Sequence, residues 1–455
     1  MSQPSRLESD LITPITRFSP GFFAVIGCLL VVIAVAAYAW LHQLVFGLGM
    51  TGLNRPVFWG IYITNFVFFI GISHAGTLIS AILRLCRAEW RRPITRMAEA
   101  ITVLVLFIGA GNILMDLGRP DRALNVLLHP NFRSPLLWDV TSITTYLTAS
   151  TLYLYLPLIP DLALLRDRVP KRRWFYRLLA LGWTGTPRQQ HWLEVAISIM
   201  AVLVIPIAIT VHTVVSWVFA MTVQPMWHST IFGPYFVVGA IFSGIAALII
   251  AMAVIRKAYR LEAYLKPIHF NNLAVLLLVM ACCWFYFTFA EYLTTFYGNE
   301  PDEMQVFWSK ITGPYAPYFW TMVACCFVVP VPILALRKGR SIPGTVIASV
   351  LVLIGMWLER FLIVVPSLIN PRLPYRGGIY HPTWVEGAIT AGAFAMFLLF
   401  YCIFAKLFPV IAIWEIREGQ ERGIPETVER LKTYLPTEGP AGAAQPATER
   451  WGVWR

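Results

Sequence analysis

Two carboxylates stand in strongly apolar sequence, where an ionisable side chain is costly to keep and therefore marks a candidate functional site. Asp116 ends the third apolar stretch and Asp139 begins the fourth, so both are expected near the same membrane surface. Helical spacing predicts that three further side chains share their faces, namely Asn112, Ser142 and Tyr146. Together they would give one shallow cavity proton acceptors, hydrogen-bond donors and an aromatic wall, unless the carboxylates form a structural ion pair with an arginine.

A second polar set is expected to lead from the opposite membrane surface toward those carboxylates. Glu99 and Glu194 fall near the other ends of the third and fifth stretches, and His74 lies between them and the outer pair. Histidine exchanges protons near neutral pH, so this series predicts a proton pathway. Further candidates for that pathway are His212, Glu291, Glu359 and Arg360. Two other interpretations stay open: the glutamates reach the lipid headgroups, or His74 is a packing residue.

Ten apolar stretches position these residues. The 455 residues have a mean hydropathy of +0.65, and only 13% of them are charged, a composition that would leave a soluble domain with an aggregating surface. Each stretch can cross the hydrocarbon core as a helix, because lipid offers the backbone no hydrogen bonds. The stretches span roughly 21–47, 57–85, 96–117, 134–160, 190–221, 230–256, 270–297, 315–336, 343–366 and 383–414. The predicted fold class is an all-α integral membrane protein with about ten transmembrane helices.

The distribution of lysine and arginine predicts the orientation. The loops after the second, fourth, sixth and eighth stretches hold nineteen of these residues, whereas the alternate loops hold seven. The positive-inside rule therefore places both termini in the cytoplasm, with residues 1–20 as an N-terminal segment, 21–414 as the membrane domain and 415–455 as a cytoplasmic tail. We expect no cleavable signal peptide. The +12 net charge then reflects the orientation of the chain in the membrane. Nucleic-acid binding is disfavoured, because the basic residues stand at helix ends and not along one soluble face.

A weak internal repeat divides the membrane domain. A shift of 173 residues aligns Gly60 with Gly233 and Tyr62 with Tyr235. Four stretches separate the copies, so the repeat predicts two parallel four-helix bundles, at 57–221 and 230–366, with one flanking helix at each end. Chance similarity between apolar helices is the alternative. The first bundle carries more polar residues and is expected to be the working one.

Metal centres are not expected in this chain. The seven cysteines form no C-x-x-C pair and nearly all fall inside the apolar stretches, where cysteine is usually a small packing residue. Only His74 and His212 lie well inside a stretch, and counting from the stretch ends puts them at different depths. A haem held by both is therefore disfavoured. We predict no bound metal, haem or iron–sulfur cluster.

The chain resembles a known family at these residues. The run Asp116-Leu117-Gly118-Arg119-Pro120, followed by Ser134-Pro135, resembles the polysulfide reductase (NrfD-like) family of quinone-reactive membrane subunits. Longer tracts are similar to the ten-helix quinol-oxidising subunit of alternative complex III. They are Ser73–Thr77, Phe132–Asp139, Val211–Thr213, Trp227–Phe232 and Met356–Phe361. The tracts cover most of the chain.

The resemblance implies a subunit without cofactors that oxidises quinone-class substrates (quinol or menaquinol) near the outer face. It implies a quinone site at Asp116, Asp139 and Arg119, with Arg360 in the polar interior. We assign Asp116 or Asp139 as the proton acceptor, and Arg119 as the residue that positions the headgroup or tunes these carboxylates. Helical spacing adds Asn112, Ser142 and Tyr146 to the predicted quinone site, beside Asp139 and Arg119. Two positions depart from the pattern expected for alternative complex III: Asp116 replaces a histidine, and Val218 replaces an acidic residue. Which complex contains the chain, and whether it pumps protons, is therefore left open.

The resemblance also implies partners and a location. The expected partners are an iron–sulfur or molybdopterin-type subunit on the outer face, cytochrome c subunits, a second NrfD-like membrane subunit, and lipid, in the bacterial inner membrane. An ion-coupled transporter and a structural anchor are the alternatives. A transporter usually needs helices that are broken near the midplane, and only Pro206 clearly interrupts a predicted helix centre.

Overall fold

The computed structural model describes residues 6–373 and 378–421, apart from the side chain of Ala75. Within these residues every regular element is a helix, and ten helices are long and apolar enough to cross a membrane. The predicted fold class, all-α with about ten spans, is confirmed. The protein is a multi-pass integral membrane protein.

One short helix precedes the membrane-spanning helices and others lie between them; two of these, Asn125–Leu128 and Arg173–Leu179, are left unnumbered. We number the remaining α-helices in chain order: α1 Arg6–Thr16, α2 Pro20–Phe46, α3 Ile61–Leu85, α4 Thr95–Asp116, α5 Pro135–Arg168, α6 Pro187–Ala220, α7 Phe232–Ala258, α8 Pro267–Gly298, α9 Pro301–Ile311, α10 Ala316–Ala335, α11 Ile342–Ile369 and α12 Trp384–Leu407. The short helices α1 and α9 lie outside the ten candidate spans. Residues 6–373 and 378–413 belong to one compact unit, and 414–421 to a second, which is helical. The predicted tail beyond 421 lies outside the described residues.

Local sequence signals set the helix ends. Ser19 and Thr186 cap α2 and α6 by accepting hydrogen bonds from backbone N–H groups of the first turn. Proline occupies the first position of both helices, where its missing N–H costs nothing. After α4 the backbone reverses through Gly118, whose φ of +63° is strained for any residue with a Cβ. This turn carries the following loop away from Asp116.

Contacts between helices follow two closed circuits. In the first, α3 packs on α4, α4 on α5, α5 on α6, and α6 back on α3; in the second, α7, α8, α10 and α11 do the same. The circuits meet along α3 and α7, while α2 and α12 pair with each other beside them. This contact order supports the two-bundle division drawn from the repeat, whose exact limits stay a prediction.

One span contains a local irregularity. Residues Ala324–Val328 of α10 form a π-helical turn, just before Pro330. Pro206, by contrast, lies inside the continuous helix α6. The expectation that Pro206 interrupts its helix is therefore wrong, because the long helix continues through the proline.

A buried ion pair joins the ends of α4 and α5 that are remote from Asp116 and Asp139. Arg96 and Asp161 are each 1% exposed and form a salt bridge. Arg96 also donates to the carbonyl oxygens of Pro157, at 2.8 Å, and Pro409, at 3.3 Å. Three chain segments are thus fixed around one guanidinium group.

Candidate functional site

Asp116 is the last residue of α4, and its side chain is partly buried. The Oδ1 atom is inaccessible and has no hydrogen-bond partner among the described residues. Its charged neighbour is Glu386 of α12 and not Asp139. The sequence placed Asp116 and Asp139 in one cavity, whereas the structure places Asp116 beside a carboxylate from the far end of the chain.

Glu386 is fully buried, and its carboxylate accepts hydrogen bonds from three residues. It accepts hydrogen bonds from the Tyr380 hydroxyl at 2.6 Å, the Gly52 N–H at 2.7 Å and the Thr383 N–H at 2.9 Å. Burial and the Glu386 carboxylate hold the pKa of Tyr380 above its ordinary value, so the phenol keeps the proton that it donates. Tyr380 in turn accepts from the N–H of Ile61 at 2.9 Å. The network ties the start of α12 to the start of α3.

A second hydrogen-bond chain supports the backbone next to Asp116. The Tyr62 hydroxyl donates to Gln43 Oε1 at 2.6 Å, and Gln43 Nε2 donates to the Met115 carbonyl oxygen at 2.8 Å. Tyr62 is fully buried and interacts electrostatically with both Asp116 and Glu386. Tyr62 of α3 and Glu386 of α12 therefore lie near the Asp116 carboxylate, and Gln43 of α2 binds the backbone beside it.

Asp139 lies in the first turns of α5 and is 5% exposed. Its Oδ1 atom has no hydrogen-bond partner within the part of the chain that the structure describes, and neither has Asn112 Oδ1. The Ser142 hydroxyl donates to the backbone oxygen of Asp139, at 3.0 Å, and Asn112 donates to the carbonyl of Ile108, at 2.9 Å. Buried acceptors without donors are costly, so these atoms are ready to receive a proton or a hydrogen bond from a ligand or water.

Arg119 points away from both carboxylates. Its side chain is 64% exposed and forms two hydrogen bonds with Asp121, at 2.9 and 2.8 Å. The turn at Gly118 places Arg119 on the exposed loop. The expectation that Arg119 positions a ligand or tunes Asp116 and Asp139 is not met by this arrangement.

Tyr146 was expected beside Asp139, because both lie on one face of α5, but its contacts are with α3. Its hydroxyl donates to the Ser73 carbonyl at 3.1 Å, and its ring centroid is 5.0 Å from that of His74. Tyr146 therefore belongs to a polar cluster at the centre of the first circuit and does not form a wall beside Asp139.

His74 and His212 meet in that cluster. Their ring centroids are 4.0 Å apart, so the prediction that they lie at different depths is wrong. Depth was counted from helix ends, but α3 and α6 are offset along their axes. Rings in direct contact leave no room for a porphyrin between them. His74 Nδ1 lies 3.0 Å from the Ile70 oxygen and Nε2 lies 2.6 Å from the Ala208 oxygen, yet a neutral ring can donate to only one.

Arg360 connects the histidine pair to the second circuit. Its guanidinium group stacks over the Phe236 ring at 4.7 Å and forms an ion pair with Glu359 at 3.0 Å. Arg360 also interacts electrostatically with His74 and His212. A Cβ at Gly239 would lie 2.7 Å from Arg360 Nη2, so glycine there makes room for the guanidinium group. The cluster thus spans both bundles.

Two further ionisable groups, Glu291 of the second circuit and Lys310 of α9, lie near each other. Glu291 of α8 accepts a hydrogen bond from the Ser229 hydroxyl at 2.8 Å. It faces Lys310 of α9, which is 4% exposed. Burial lowers the pKa of Lys310 to about 8, although Glu291 and Glu359 attract its charge. Sequence reasoning counted Lys310 only as a loop cation, because a short helix outside the spans gave no sign that it turns inward.

The predicted inner series is only partly assembled. Glu99 is buried and accepts a hydrogen bond from Ser80 at 2.5 Å, so it does not extend to the headgroups. Glu194 is exposed on α6, and thus lies outside the bundle interior. The continuous row of Glu99, Glu194 and His74 expected from the sequence is therefore not formed, because the Glu194 side chain is exposed and does not enter the bundle.

Sequence reasoning also missed the network beside Asp116. Glu386 stands three residues after Thr383, and this spacing is a capping-box signal that predicts the start of α12. It does not predict that the same carboxylate binds Gly52, which is 334 residues away. Tyr380 and Gln43 carried no signal at all.

Comparison with known proteins assigns the chain to a family. Residues 49–371 match the family described as "Polysulphide reductase, NrfD". The chain is 27% identical to a putative membrane subunit of dimethyl sulfoxide reductase from Halobacterium salinarum, over 82% of this chain and 87% of the relative. It is 24% identical to a selenate reductase subunit from Mesobacillus selenatarsenatis, over 86% and 94% of the two chains. It is also 24% identical to an Hdr-like menaquinol oxidoreductase integral membrane subunit from Archaeoglobus fulgidus, over 90% and 96%. With most of its spans inside the matched range, the ten-helix chain belongs to the NrfD polysulphide reductase family.

Proposed function

We propose that this protein is the quinone-reactive membrane subunit of a redox complex, and that it oxidises quinol near the outer face. The electrons released from quinol pass to an iron–sulfur or molybdopterin-type subunit docked on that face. The relatives support this assignment, since they are named as subunits of two reductases and of a menaquinol oxidoreductase.

The observation that carries the proposal is the pair of buried carboxylate oxygens without donors, on Asp116 and Asp139. Asp116 belongs to α4 and Asp139 to α5, and each lies near the helix end that the loop containing Gly118 joins. Oxidising one quinol releases two electrons and two protons. A carboxylate that lacks a hydrogen-bond donor can accept a proton from a quinol hydroxyl directly. Asp139 is the first acceptor in this scheme, and Asp116, beside Glu386, is a second.

The proposal extends to a proton route through the centre of the molecule. Tyr146, His74, His212 and Arg360 form a line of contacting or electrostatically coupled groups, which Glu359 continues toward Glu291. In this scheme Glu99 remains a candidate on the inner side, with Ser80 and water between it and the centre. Glu194 is left out, because its side chain is exposed.

The finer assignments follow from the resemblance and the loop charges. The chain would sit in a bacterial inner membrane with both termini in the cytoplasm. Its complex would resemble alternative complex III, with cytochrome c subunits and a second NrfD-like subunit. Asp116 and Val218 are the positions at which the chain departs from that pattern.

The test is quinol-dependent electron transfer in the purified complex. The protein is isolated from its native membrane with its partners, and reduction of the partner iron–sulfur clusters by a menaquinol analogue is followed by electron paramagnetic resonance. We expect cluster reduction that a quinol-site inhibitor abolishes. A complex that contains no iron–sulfur partner, or whose clusters are reduced equally without quinol, would contradict the proposed function.

A further inference from the structure

A separate pocket is lined in part by Tyr380, the residue that donates to Glu386. Its volume is about 300 Å³, at the lower end of the range of about 300 to 1,000 Å³ for small-molecule sites. It lies between α3, the start of α10, α11 and residues 379–382. None of Asn112, Asp116, Arg119, Asp139, Ser142 and Tyr146 lines it.

Aromatic rings form the walls of this pocket. Trp357 and Phe361, one turn apart on α11, lie almost parallel, with an interplanar angle of 12° and centroids 6.0 Å apart. The rings of Tyr315 and Tyr318 lie 6.3 and 5.9 Å from Phe361. The Trp357 indole is fixed, because its N–H donates to Asn65 at 2.9 Å. Such a wall suits a flat, apolar ring that stacks on it.

Polar side chains also line the pocket, among them Tyr380, Tyr318 and His381. Tyr380 is buried and committed to Glu386 and Ile61, so its ring shapes the pocket floor. Tyr318 is 48% exposed, and His381 is also exposed. A ligand with ring oxygens can meet the Tyr318 hydroxyl and the His381 imidazole at the mouth while its apolar part stacks inside.

We propose that this pocket is a second binding site for a flat, oxygen-bearing aromatic ring of the quinol class, distinct from the site at Asp116 and Asp139. The inference rests on the proposed function for the identity of the ligand. The two sites share one structural wall: Tyr380 lines the pocket and donates to Glu386, and Glu386 is the charged neighbour of Asp116. Two side chains, Tyr380 and Glu386, thus separate a ligand in the pocket from Asp116.

The experiment counts sites with a fluorescent quinol analogue, heptyl-hydroxyquinoline N-oxide, titrated into the purified whole complex. Tyr318→Leu removes a wall ring, and Leu358→Trp fills the pocket. Tyr286→Leu and Leu293→Trp are matched controls, because both residues are exposed on α8 and lie outside the pocket. We expect two classes of binding site in the wild type and in the controls. Both pocket variants should lose one class, or weaken it about tenfold, and keep the other. Asp139→Asn should affect only the other class.

Three results separate this inference from the proposed function. If the wild type has one class of site, lost in Asp139→Asn and unchanged in both pocket variants, the second site does not exist and the proposed function stands. If native mass spectrometry finds a phospholipid that the analogue does not displace and that only the pocket variants lose, the pocket is a lipid site and the inference fails. If the wild type neither binds the analogue nor oxidises quinol, the proposed function itself fails.

Discussion

The imidazole rings of His74 and His212 are in direct contact, with centroids 4.0 Å apart, at the centre of the first bundle. His74 faces two carbonyl oxygens, from Ile70 and Ala208, whereas neither nitrogen of His212 has a hydrogen-bond partner among the described residues. Arg360 places a positive charge near both rings. This charge disfavours a protonated ring, so the pair can hold an extra proton only in passing, as a relay requires.

The histidine pair gives the first prediction. His74→Gln keeps a donor for the Ala208 carbonyl and removes the titrating ring. In vesicles containing the complex, we expect quinol oxidation to stay within about twofold of wild type and proton uptake from the side opposite the partner subunit to fall by half or more. His74→Leu also removes the hydrogen bond to that carbonyl, at a cost of about 0.5–1.5 kcal/mol in stability. Full proton uptake in both variants would make His74 a structural residue.

The second prediction concerns Asp139. Asp139→Asn preserves size and hydrogen bonding but removes the proton acceptor, so the rate of quinol oxidation should fall about tenfold or more. Asp121→Asn is the control, because Asp121 is exposed and pairs with Arg119. Steady-state turnover of the purified complex measures both. Equal rates for the two variants would remove Asp139 from the mechanism.

The third prediction follows from the separation of Asp116 from Asp139. Because Glu386 is the charged neighbour of Asp116, the effects of Asp116→Asn and Asp139→Asn on the rate should multiply in the double variant. Asp116→Asn combined with Glu386→Gln should instead be non-additive by a factor of several. A double-variant cycle on turnover tests this, and strong coupling between Asp116 and Asp139 would contradict the arrangement.

The fourth prediction concerns the ion pair at the opposite helix ends. Arg96→Met leaves Asp161 buried without its cation and should destabilise the protein by about 3–5 kcal/mol. Arg96→Met with Asp161→Leu should recover most of that loss, since no charge remains buried. The thermal midpoint of the detergent-solubilised complex is the measurement. A double variant as unstable as Arg96→Met would show that the carbonyl contacts of Arg96 matter more than the pair.

The fifth prediction uses Lys310, which lies outside the spans. Its folded-state pKa of about 8 is below the ordinary 10.5, so the burial cost is fully present below about pH 8. Between these values the unfolded chain binds more protons than the folded one, and the free energy of unfolding therefore rises with pH. The thermal midpoint of wild type relative to Lys310→Met should increase between about pH 7 and 10. Lys338→Met, at an exposed lysine, should show no such trend.

Sequence patterns predicted the ten spans because lipid forces long apolar runs into helices. They also selected Asp116, Asp139, His74 and His212 as unusual side chains, and the structure buries all or part of each. What they could not predict was which of these side chains meet. The contact between His74 and His212 depends on the offset of two helices along their axes.

Contacts between distant parts of the chain could not be predicted from the sequence either. Glu386 lies near Asp116 because α12 packs beside α4, and no local sequence pattern predicts that packing. Arg119 was assigned to the site from a motif, but the left-handed backbone at Gly118 directs it to the surface. Motifs therefore identified the chemistry of single residues better than their partners.

The pairing of α2 with α12 constrains how the protein is made. The helix α2 is synthesised before α12, its main helical partner, which follows about 340 residues later. At about 5 to 20 residues per second, the nascent α2 helix waits some tens of seconds with its contact face toward lipid or the insertion machinery. Gln43 lies on that helix and is hydrogen-bonded to Tyr62 and to the Met115 carbonyl, next to Asp116. The site around Asp116 is therefore completed only after α12 has been synthesised, and a chain that stops before α12 would lack Glu386 and leave α2 without its main helical partner.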